Sequence, residues 1–279
     1  FTLPKPDPGE GYKDTNHQLF QFYDAATDYP PQPTNLGFVN DYASAMMYGT
    51  YAYGDSPTDP RRIMICYTPE QVPVLSTLAK QYAVCDQWFC SVPSQTLPNR
   101  DFVHAASSCG QVNNKPNAQC DARTIFNQIQ DAITQTKRTD LSWKVYSGTQ
   151  KVKSPTAKGK PPSSQDEPFS LTRLIMTKLH DSEFNPNFVS IKNFYKDASK
   201  GKLPSYSFLE PQFSPPGQND QHPSSDIRPG EKLIADVYNA VVNSPQWEET
   251  LLVITYDEHG GSYDHFPPPG HATPPDGIG

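Results

Sequence analysis

PGEKLIADVYNAVVNSPQWEETLLVITY, residues 229–256, is the stretch that decides the predicted fold. Apolar side chains recur every three or four positions from Leu233 to Val241, which predicts an amphipathic helix over Pro229–Asn243. The run Thr250–Tyr256 is continuously apolar, which is typical of a strand buried on both faces of a parallel sheet. A helix that leads directly into such a strand indicates an α/β sheet with helices on both sides.

The same alternation extends along the chain. The Thr-Pro-Glu-Gln sequence at Thr68 resembles a helix start, with a capping residue followed by proline. Helices are predicted over 68–82, 122–136 and 171–180, and strands over 83–90, 143–146 and 207–210. An apolar segment covers 189–198. Residues 1–60 are expected to form loops with short helices, and residues 148–167 an exposed loop. We find no internal repeat and no clear boundary, so a single domain over residues 1–279 is expected.

Composition limits the classes of protein that the chain can belong to. Of 279 residues, 35% are hydrophobic, and 30 prolines and 16 glycines occur in clusters, which predicts a folded domain rich in loops. The net charge of −7 disfavours nonspecific binding to nucleic acid and to strongly anionic membranes. No apolar run of about 18 residues is present, so no membrane span is expected. The start at Phe1 has no signal-peptide pattern.

Five cysteines lie between Cys66 and Cys120, and none has the CxxC spacing of a zinc or redox motif. An odd number leaves at least one thiol unpaired within the chain. One or two disulfides are favoured over structural thiols in an extracellular protein.

The predicted strand 250–256 ends in DEHGGSYDH, residues 257–265. Ligands of open α/β sheets bind beyond the carboxyl ends of strands, and Asp257 and Glu258 are hard oxygen donors suited to a divalent cation. A solvated acidic turn is an equally good explanation. His222, held extended before a proline, could contact a phosphate or simply be solvated.

Thr96 lies in SQTLPNR, residues 94–100, between a predicted strand and a predicted helix over 99–107. The positive end of that helix would favour an anionic substrate near the hydroxyl. A helix cap is the ordinary role of a threonine at such a turn, so the residues alone leave both roles open. His104 fits a core histidine on the same helix.

Taken together, TLPNR (96–100), DQHP (220–223) and YDEHGGSYDH (256–265) resemble the phosphoesterase family that contains bacterial phospholipases C, plant non-specific phospholipases C and certain acid phosphatases. The resemblance implies an α/β fold, an alkaline-phosphatase-like three-layer α/β/α sandwich with a mostly parallel central sheet and long loops. It implies Thr96 as a nucleophile that forms a phospho-enzyme, and His222 as a group that binds or protonates the phosphoryl.

The resemblance also implies a cofactor and further site residues. Asp257 and Glu258 would bind one or more divalent metal ions, with Ca²⁺, Mg²⁺, Mn²⁺, Zn²⁺ and iron all open. Asn99, Arg100 and His265 would bind substrate or support the site. In this family an apolar strand ending in Glu-Asn-Arg-Ser-Phe-Asp usually comes first. The chain starts after that strand and stops before the usual closing strands, so we expect two metal ligands to be missing.

The expected substrate is a small phosphate ester or a phospholipid head group, not a nucleic acid, for a protein that is secreted or periplasmic. Transient contact with a membrane surface could involve an apolar rim. The candidates for that rim are Tyr42, Met46, Met47, Tyr48, Tyr51 and Tyr53. The alternative is a non-catalytic binding or structural domain that keeps the phosphoesterase fold.

Overall fold

A computed structural model describes residues 4–21, 32–48, 59–115, 119–149 and 168–269. Contacts divide the chain into two compact units. The first unit comprises Phe1–Cys120, Gln221–Ile227 and Thr255–Gly279, and the second unit comprises Asp121–Asp220 and Arg228–Ile254. Each unit therefore combines stretches that are distant in sequence, and the single domain expected from the sequence stays a prediction.

The second unit contains a parallel sheet of three strands, β1 (Trp143–Ser147), β2 (Phe188–Ser190) and β3 (Tyr206–Glu210). β1 lies in the centre, and its Val145 pairs with Phe188 of β2 and with Phe208 of β3. The predicted strands at 143–146 and 207–210 are confirmed.

One face of this sheet packs against helix α5 (Ile125–Thr136). The fully buried Phe126 of α5 lies 4.9 Å from Trp143 and 6.5 Å from Phe208, measured between ring centroids. α5 begins where predicted to within a few residues, because Thr124 and Asn127 form a capping box.

The opposite face packs against helices α7 (Ile191–Ser199) and α8 (Arg228–Val242). Successive residues of a strand point to opposite faces, so Tyr146 faces α7 while Val145 faces α5. Tyr146 packs with Phe194, Val237 and Val241 in one apolar cluster. The second unit thus has three layers, α5, the parallel sheet, and α7 with α8, which confirms the predicted α/β class.

The predicted helix over 171–180 is divided in the structure. Helix α6 (Leu171–Ile175) is capped by Ser170, and a 3₁₀ turn follows at Thr177–Leu179. The predicted loop 148–167 lies almost entirely outside the described residues.

The first unit contains helices α1 (Tyr12–Phe20), α2 (Phe38–Tyr48), α3 (Pro73–Gln81) and α4 (Thr96–Ala105), with a 3₁₀ helix at Pro60–Met64. Phe38, Tyr42 and Ile63 form its apolar cluster. Tyr42 is therefore core and not part of an exposed apolar rim, whereas Met47 is exposed. The side chain of Tyr48, and Tyr51 and Tyr53, lie outside the described residues.

Two predicted strands are wrong. Thr250–Tyr256 has no strand pairing in the described structure, and the side chain of Leu251 is 87% exposed. A strand buried on both faces needs neighbours in the sheet and cover above and below it, and here Leu252 packs against the core while Leu251 and Val253 do not. The predicted strand 83–90 is likewise unpaired, with Trp88 exposed.

Two predicted helix starts also differ from the structure. The Gln71 side chain accepts a hydrogen bond from the Thr68 amide at 2.9 Å, as in a capping box, but this contact closes a turn and α3 begins only at Pro73. The helix expected over 99–107 begins three residues earlier, at Thr96. Thr96 is consequently the first residue of a helix, with Gln95 as the N-cap.

Cys109 and Cys120 form a disulfide with their Cα atoms 5.5 Å apart, so a disulfide prediction is confirmed. Cys66 and Cys85 are free and exposed, and Cys90 is free and half-buried. Among the described helices, none has the length and apolar character needed to cross a bilayer.

Candidate active site

A glycine pair brings together three segments of the first unit. Gly260 and Gly261 adopt positive φ values of 61° and 66°, which side-chain-bearing residues rarely do. A Cβ atom on Gly261 would lie 2.5 Å from the Gly9 carbonyl oxygen, and one on Gly260 would lie 3.2 Å from the ring of Pro223. The absence of side chains therefore lets the loop after Asp257 touch both the N-terminal segment and the segment that contains His222.

Helix α4 joins the same loop through an ion pair. The Arg100 Nε donates to Asp257 Oδ2 at 2.8 Å, and the Arg100 side chain is largely buried. Thr96 lies four residues before Arg100, so both side chains project from one face of α4. The structure thus turns the Thr96 face of the helix toward the Asp257 loop.

Asn99 shapes the turn that precedes Thr96. Its amide nitrogen lies 3.0 Å from the carbonyl oxygens of Val92, Ser94 and Gln95, and its side-chain oxygen accepts from the Val92 amide at 2.8 Å. Asn99 is buried, and its amide and carbonyl both bind the backbone. This geometry favours support of the Thr96 turn over direct contact with substrate.

Asn113 holds the same turn from a neighbouring loop. Its side-chain oxygen lies 2.9 Å from the Tyr12 amide and 3.4 Å from the Ser94 hydroxyl, both of which donate to it. The start of α1 and the turn before Thr96 are therefore linked through one side chain. Neither Asn113 nor this link was predicted from the sequence.

The side chain of Glu258 is only 5% exposed. It accepts a hydrogen bond from the Gly260 amide, and its Oε2 lies 3.5 Å from His259 Nδ1. Burial raises the pKa of the nearby Cys90 thiol to about 11, and the negative charge of Glu258 adds to this. Cys90 is thus a protonated thiol at neutral pH and not a nucleophile.

His222 faces acidic side chains from the N-terminal segment. Its Nε2 lies 3.6 Å from Glu10 Oε1, and its Nδ1 lies 4.0 Å from Asp7 Oδ1. The contact with Glu10, helped by the Pro223 carbonyl and by Asp7, raises the pKa of His222 to about 10. The imidazole is therefore positively charged at neutral pH, which suits contact with a phosphoryl group.

A buried polar network around Gln18 contacts the loop through His259. Gln18 donates from its amide nitrogen to the Gly9 carbonyl at 2.6 Å and to Asp41 at 2.8 Å. Since both amide protons are donated, its oxygen, 2.6 Å from His259 Nε2, accepts from that nitrogen. Asp41 also contacts His17 at 3.4 Å.

Glu10, Asp7, Gln18 and Asp41 were all missed by sequence reasoning. They lie in or beside Pro- and Gly-rich stretches without apolar periodicity, where a single polar residue carries no local signal. The proximity of Asp7 and Glu10 to His222 arises from chain segments more than 200 positions apart.

His265 does not join this group in the described structure. Its side chain is 89% exposed, and its Nδ1 lies 3.4 Å from Asp264. His104, by contrast, is the core histidine that the helix pattern suggested, and burial lowers its pKa to about 3. Its neighbour Asp101 is also buried, which raises the pKa of that carboxyl to about 7.

The described residues do not form a complete metal centre. Asp257 and Glu258 supply two carboxylates, fewer than the ligands that a divalent cation takes, and Asp257 already pairs with Arg100. No group of three or more histidine, cysteine, aspartate or glutamate side chains in the described ranges is arranged to hold a metal ion.

The sequence of the chain matches a known family of proteins. The phosphoesterase family matches residues 3–279, and the chain therefore belongs to that family. The resemblance drawn from the three sequence segments is confirmed.

The chain is similar to particular phospholipases of this class. Non-specific phospholipase C6 of Arabidopsis thaliana is 38% identical over 280 residues, which cover 98% of this chain and 46% of the relative. Non-specific phospholipase C3 of the same plant is 34% identical over 282 residues, covering 98% and 47%. Phospholipase C B of Mycobacterium tuberculosis (strain ATCC 25618 / H37Rv) is 29% identical over 224 residues, covering 76% and 40%. The chain spans less than half the length of these relatives.

Proposed function

We propose that the protein carrying this chain hydrolyses phosphate esters, with Thr96 as the nucleophile. The observation that carries the proposal is the ion pair between Arg100 and Asp257, which links the helix face of Thr96 to the carboxylate loop. Membership of the phosphoesterase family supports the reaction class. The names of the relatives support a phospholipid as substrate.

In the proposed reaction, the Thr96 hydroxyl oxygen attacks phosphorus while the ester P–O bond breaks. The proton that the Thr96 hydroxyl gives up passes to the departing ester oxygen, which leaves as an alcohol. The phosphoryl group is held on Thr96 until water adds to phosphorus, which releases phosphate and restores the Thr96 hydroxyl. Phosphoryl transfer chiefly requires an in-line nucleophile and positive charge at the phosphoryl oxygens. Arg100 and the protonated His222 are the residues that we propose for that charge, and Asn99 holds the turn.

Metal dependence is a separate part of the proposal, with Asp257 and Glu258 as candidate ligands. A bound divalent ion would lower the pKa of the Thr96 hydroxyl and neutralise phosphoryl oxygens. Further ligands would be needed beside these two carboxylates. The alternative function is a non-catalytic binding or structural domain that keeps the phosphoesterase fold.

The proposed substrate is a small phosphate ester or a phospholipid head group. Net charge −7 disfavours polyanionic nucleic acid. Secretion or a periplasmic location is supported by the Cys109–Cys120 disulfide, because disulfides persist in oxidising compartments. Transient contact with a membrane surface stays part of the proposal.

The proposal is tested by the full chain's hydrolysis of p-nitrophenyl phosphate and p-nitrophenyl phosphorylcholine, with and without added Ca²⁺, Mg²⁺, Mn²⁺, Zn²⁺ or Fe²⁺. We expect Thr96→Ala to lower kcat by roughly 1,000-fold or more, as removal of a nucleophile does. Thr68→Ala, at an exposed threonine of the first unit, is the matched control and should retain activity.

Three outcomes separate the alternatives. Hydrolysis of neither ester under any metal condition would favour the non-catalytic domain. Full activity of Thr96→Ala would contradict the nucleophile while leaving the reaction class intact. Activity that is unaffected by chelation and by added ions would contradict metal dependence alone.

A further inference from the structure

Glu10 is a buried acid with an unsatisfied oxygen next to His222. The residue is 9% exposed, and its Oε1 lies 3.6 Å from His222 Nε2. Its second oxygen, Oε2, is buried and has no hydrogen-bond partner among the described residues. Burial of a carboxylate costs free energy unless opposite charge or hydrogen bonds offset that cost. The contact with His222 is a main source of this offset for Glu10.

The backbone that carries Glu10 is fixed on several sides. The Gln18 side chain donates to the Gly9 carbonyl at 2.6 Å, and Asn113 accepts from the Tyr12 amide at 2.9 Å. Gly261 packs so closely on Gly9 that a Cβ atom would lie 2.5 Å from its carbonyl oxygen. Glu10 is thus presented by a constrained segment, and its carboxylate is not a mobile surface acid that meets His222 by chance.

Both ring nitrogens of His222 have contacts. Its Nδ1 contacts the carbonyl of the adjacent Pro223, and the more distant carboxylate of Asp7 is half-exposed. A carboxylate held 3.6 Å from Nε2 adds a charged contact that restrains the direction of the ring, as the acid of a carboxylate–histidine pair does in enzymes. Glu10 is the buried acid that contacts Nε2 of His222.

We infer that Glu10 is a positioning residue of the phosphoesterase site, which orients the His222 imidazole and keeps it directed by a charged contact at Nε2. The inference rests on the proposed function for its catalytic meaning, but the contact itself does not depend on turnover. Glu10 acts through His222 and has no direct role in the reaction.

The test is a double-mutant cycle in the full chain with Glu10→Gln, His222→Ala and the combination. We expect Glu10→Gln to lower kcat on p-nitrophenyl phosphate roughly ten-fold, less than the roughly 100-fold that misplacing a positioned group by about 1 Å can cost. In the His222→Ala background, Glu10→Gln should have almost no further effect, because the residue through which it acts is absent. Equal and additive losses in both backgrounds would overturn the inference.

A second measurement keeps the inference independent of activity. The ring signals of His222, assigned by NMR through their loss in His222→Ala, should shift in Glu10→Gln. Asp14→Asn is the matched control, since Asp14 is another partly buried acid of this segment but binds the Gly11 amide, not His222. Unchanged His222 signals in Glu10→Gln would overturn the inference even if the chain hydrolyses phosphate esters. If the chain hydrolyses neither test ester, the proposed function fails, and shifted signals would still establish the contact.

Discussion

The sheet of the second unit and the loop at Gly260 and Gly261 in the first unit are stabilised in opposite ways. The sheet is surrounded by large apolar side chains, such as Phe126 and Tyr146, which fill space on its two faces. The loop at Gly260 and Gly261 depends on the absence of side chains, since the Gly9 backbone and the Pro223 ring lie directly against it. A core of apolar side chains is stabilised by the space that they fill, whereas the contact of Gly261 with the Gly9 carbonyl leaves no room for a side chain.

The difference has a consequence for what each region can do. Apolar packing stabilises the second unit without specifying the position of any single polar atom. The loop places Asp257, Glu258 and His222 within one unit, but many of its contacts are polar, and isolated hydrogen bonds contribute only about 1 kcal/mol each to stability. We therefore expect changes in the sheet to affect stability and changes in the loop to affect activity.

The largest effect that would test this comparison comes from Phe126→Ala. Removing a fully buried aromatic side chain should lower the free energy of unfolding by about 3–5 kcal/mol, while molecules that remain folded keep their kcat. Urea unfolding of the full chain measures the first quantity, and activity per folded molecule measures the second. Phe126→Leu should cost less, because it leaves a smaller cavity.

Leu251→Ala is the control for that change. Leu251 belongs to the same unit but is exposed, so its truncation should change stability by less than about 0.5 kcal/mol. A loss as large as that of Phe126→Ala would mean that the apolar segment 250–256 is buried after all.

The next largest effect, a loss of activity, is expected from Gly261→Ala. The new methyl group would collide with the Gly9 carbonyl and displace the loop, and a shift of about 1 Å at an active site can cost roughly 100-fold in rate. Measurement of kcat/KM, with circular dichroism to confirm folding, checks this expectation.

Gly217→Ala is the control for Gly261→Ala, because it introduces backbone strain without a steric collision. Gly217 has a positive φ of 90°, but no atom would lie within 4 Å of the added methyl group, so alanine there meets strain without collision. Its kcat/KM should stay near that of the wild type, with a stability loss of about 1 kcal/mol. Equal losses of activity in both variants would show that the close contact at Gly9 is unimportant.

The smallest expected effect concerns pH and the buried Asp101. Its pKa is raised from 3.8 to about 7 by burial, so the folded protein retains a proton that the unfolded chain releases, and stability falls as pH rises toward 7. Asp101→Asn removes this dependence. The stability of the variant relative to wild type should therefore increase by about 1.4 kcal/mol between pH 6 and pH 8.

His104 has the opposite pH dependence, because its pKa is lowered to about 3 and its protonation in the unfolded chain costs stability at low pH. This contribution is present in both proteins and cancels in their difference. Chemical unfolding at a series of pH values gives that difference. A constant value across the range would show that Asp101 is ionised in the folded protein at pH 6.

The same contrast explains how far the sequence could predict the molecule. Helix α8 and strands β1 and β3 were predictable because apolar periodicity reports which faces are buried. That signal reports only that a segment is apolar, and not whether another strand lies beside it, which is why 250–256 was predicted wrongly.

The candidate site likewise contains residues that the sequence could predict and residues that it could not. Asp257, Glu258 and the glycine pair stood out as a dense local motif, whereas the contact of Asp257 with Arg100 of α4 was not predicted. Glu10 and Gln18 could not be found, because their importance lies in contacts with residues more than 200 positions away. Such contacts depend on the path of the backbone, which no local pattern specifies.

The Cys109–Cys120 bond gives the site a dependence on redox conditions. It closes the loop that carries Asn113, and Asn113 holds both the Tyr12 amide beside Glu10 and the Ser94 hydroxyl beside Thr96. A covalent bond thus restrains, through a single amide side chain, two segments of the candidate site that are far apart in sequence. Reduction of this bond would loosen that restraint, so an oxidising surrounding is part of what keeps the arrangement in place.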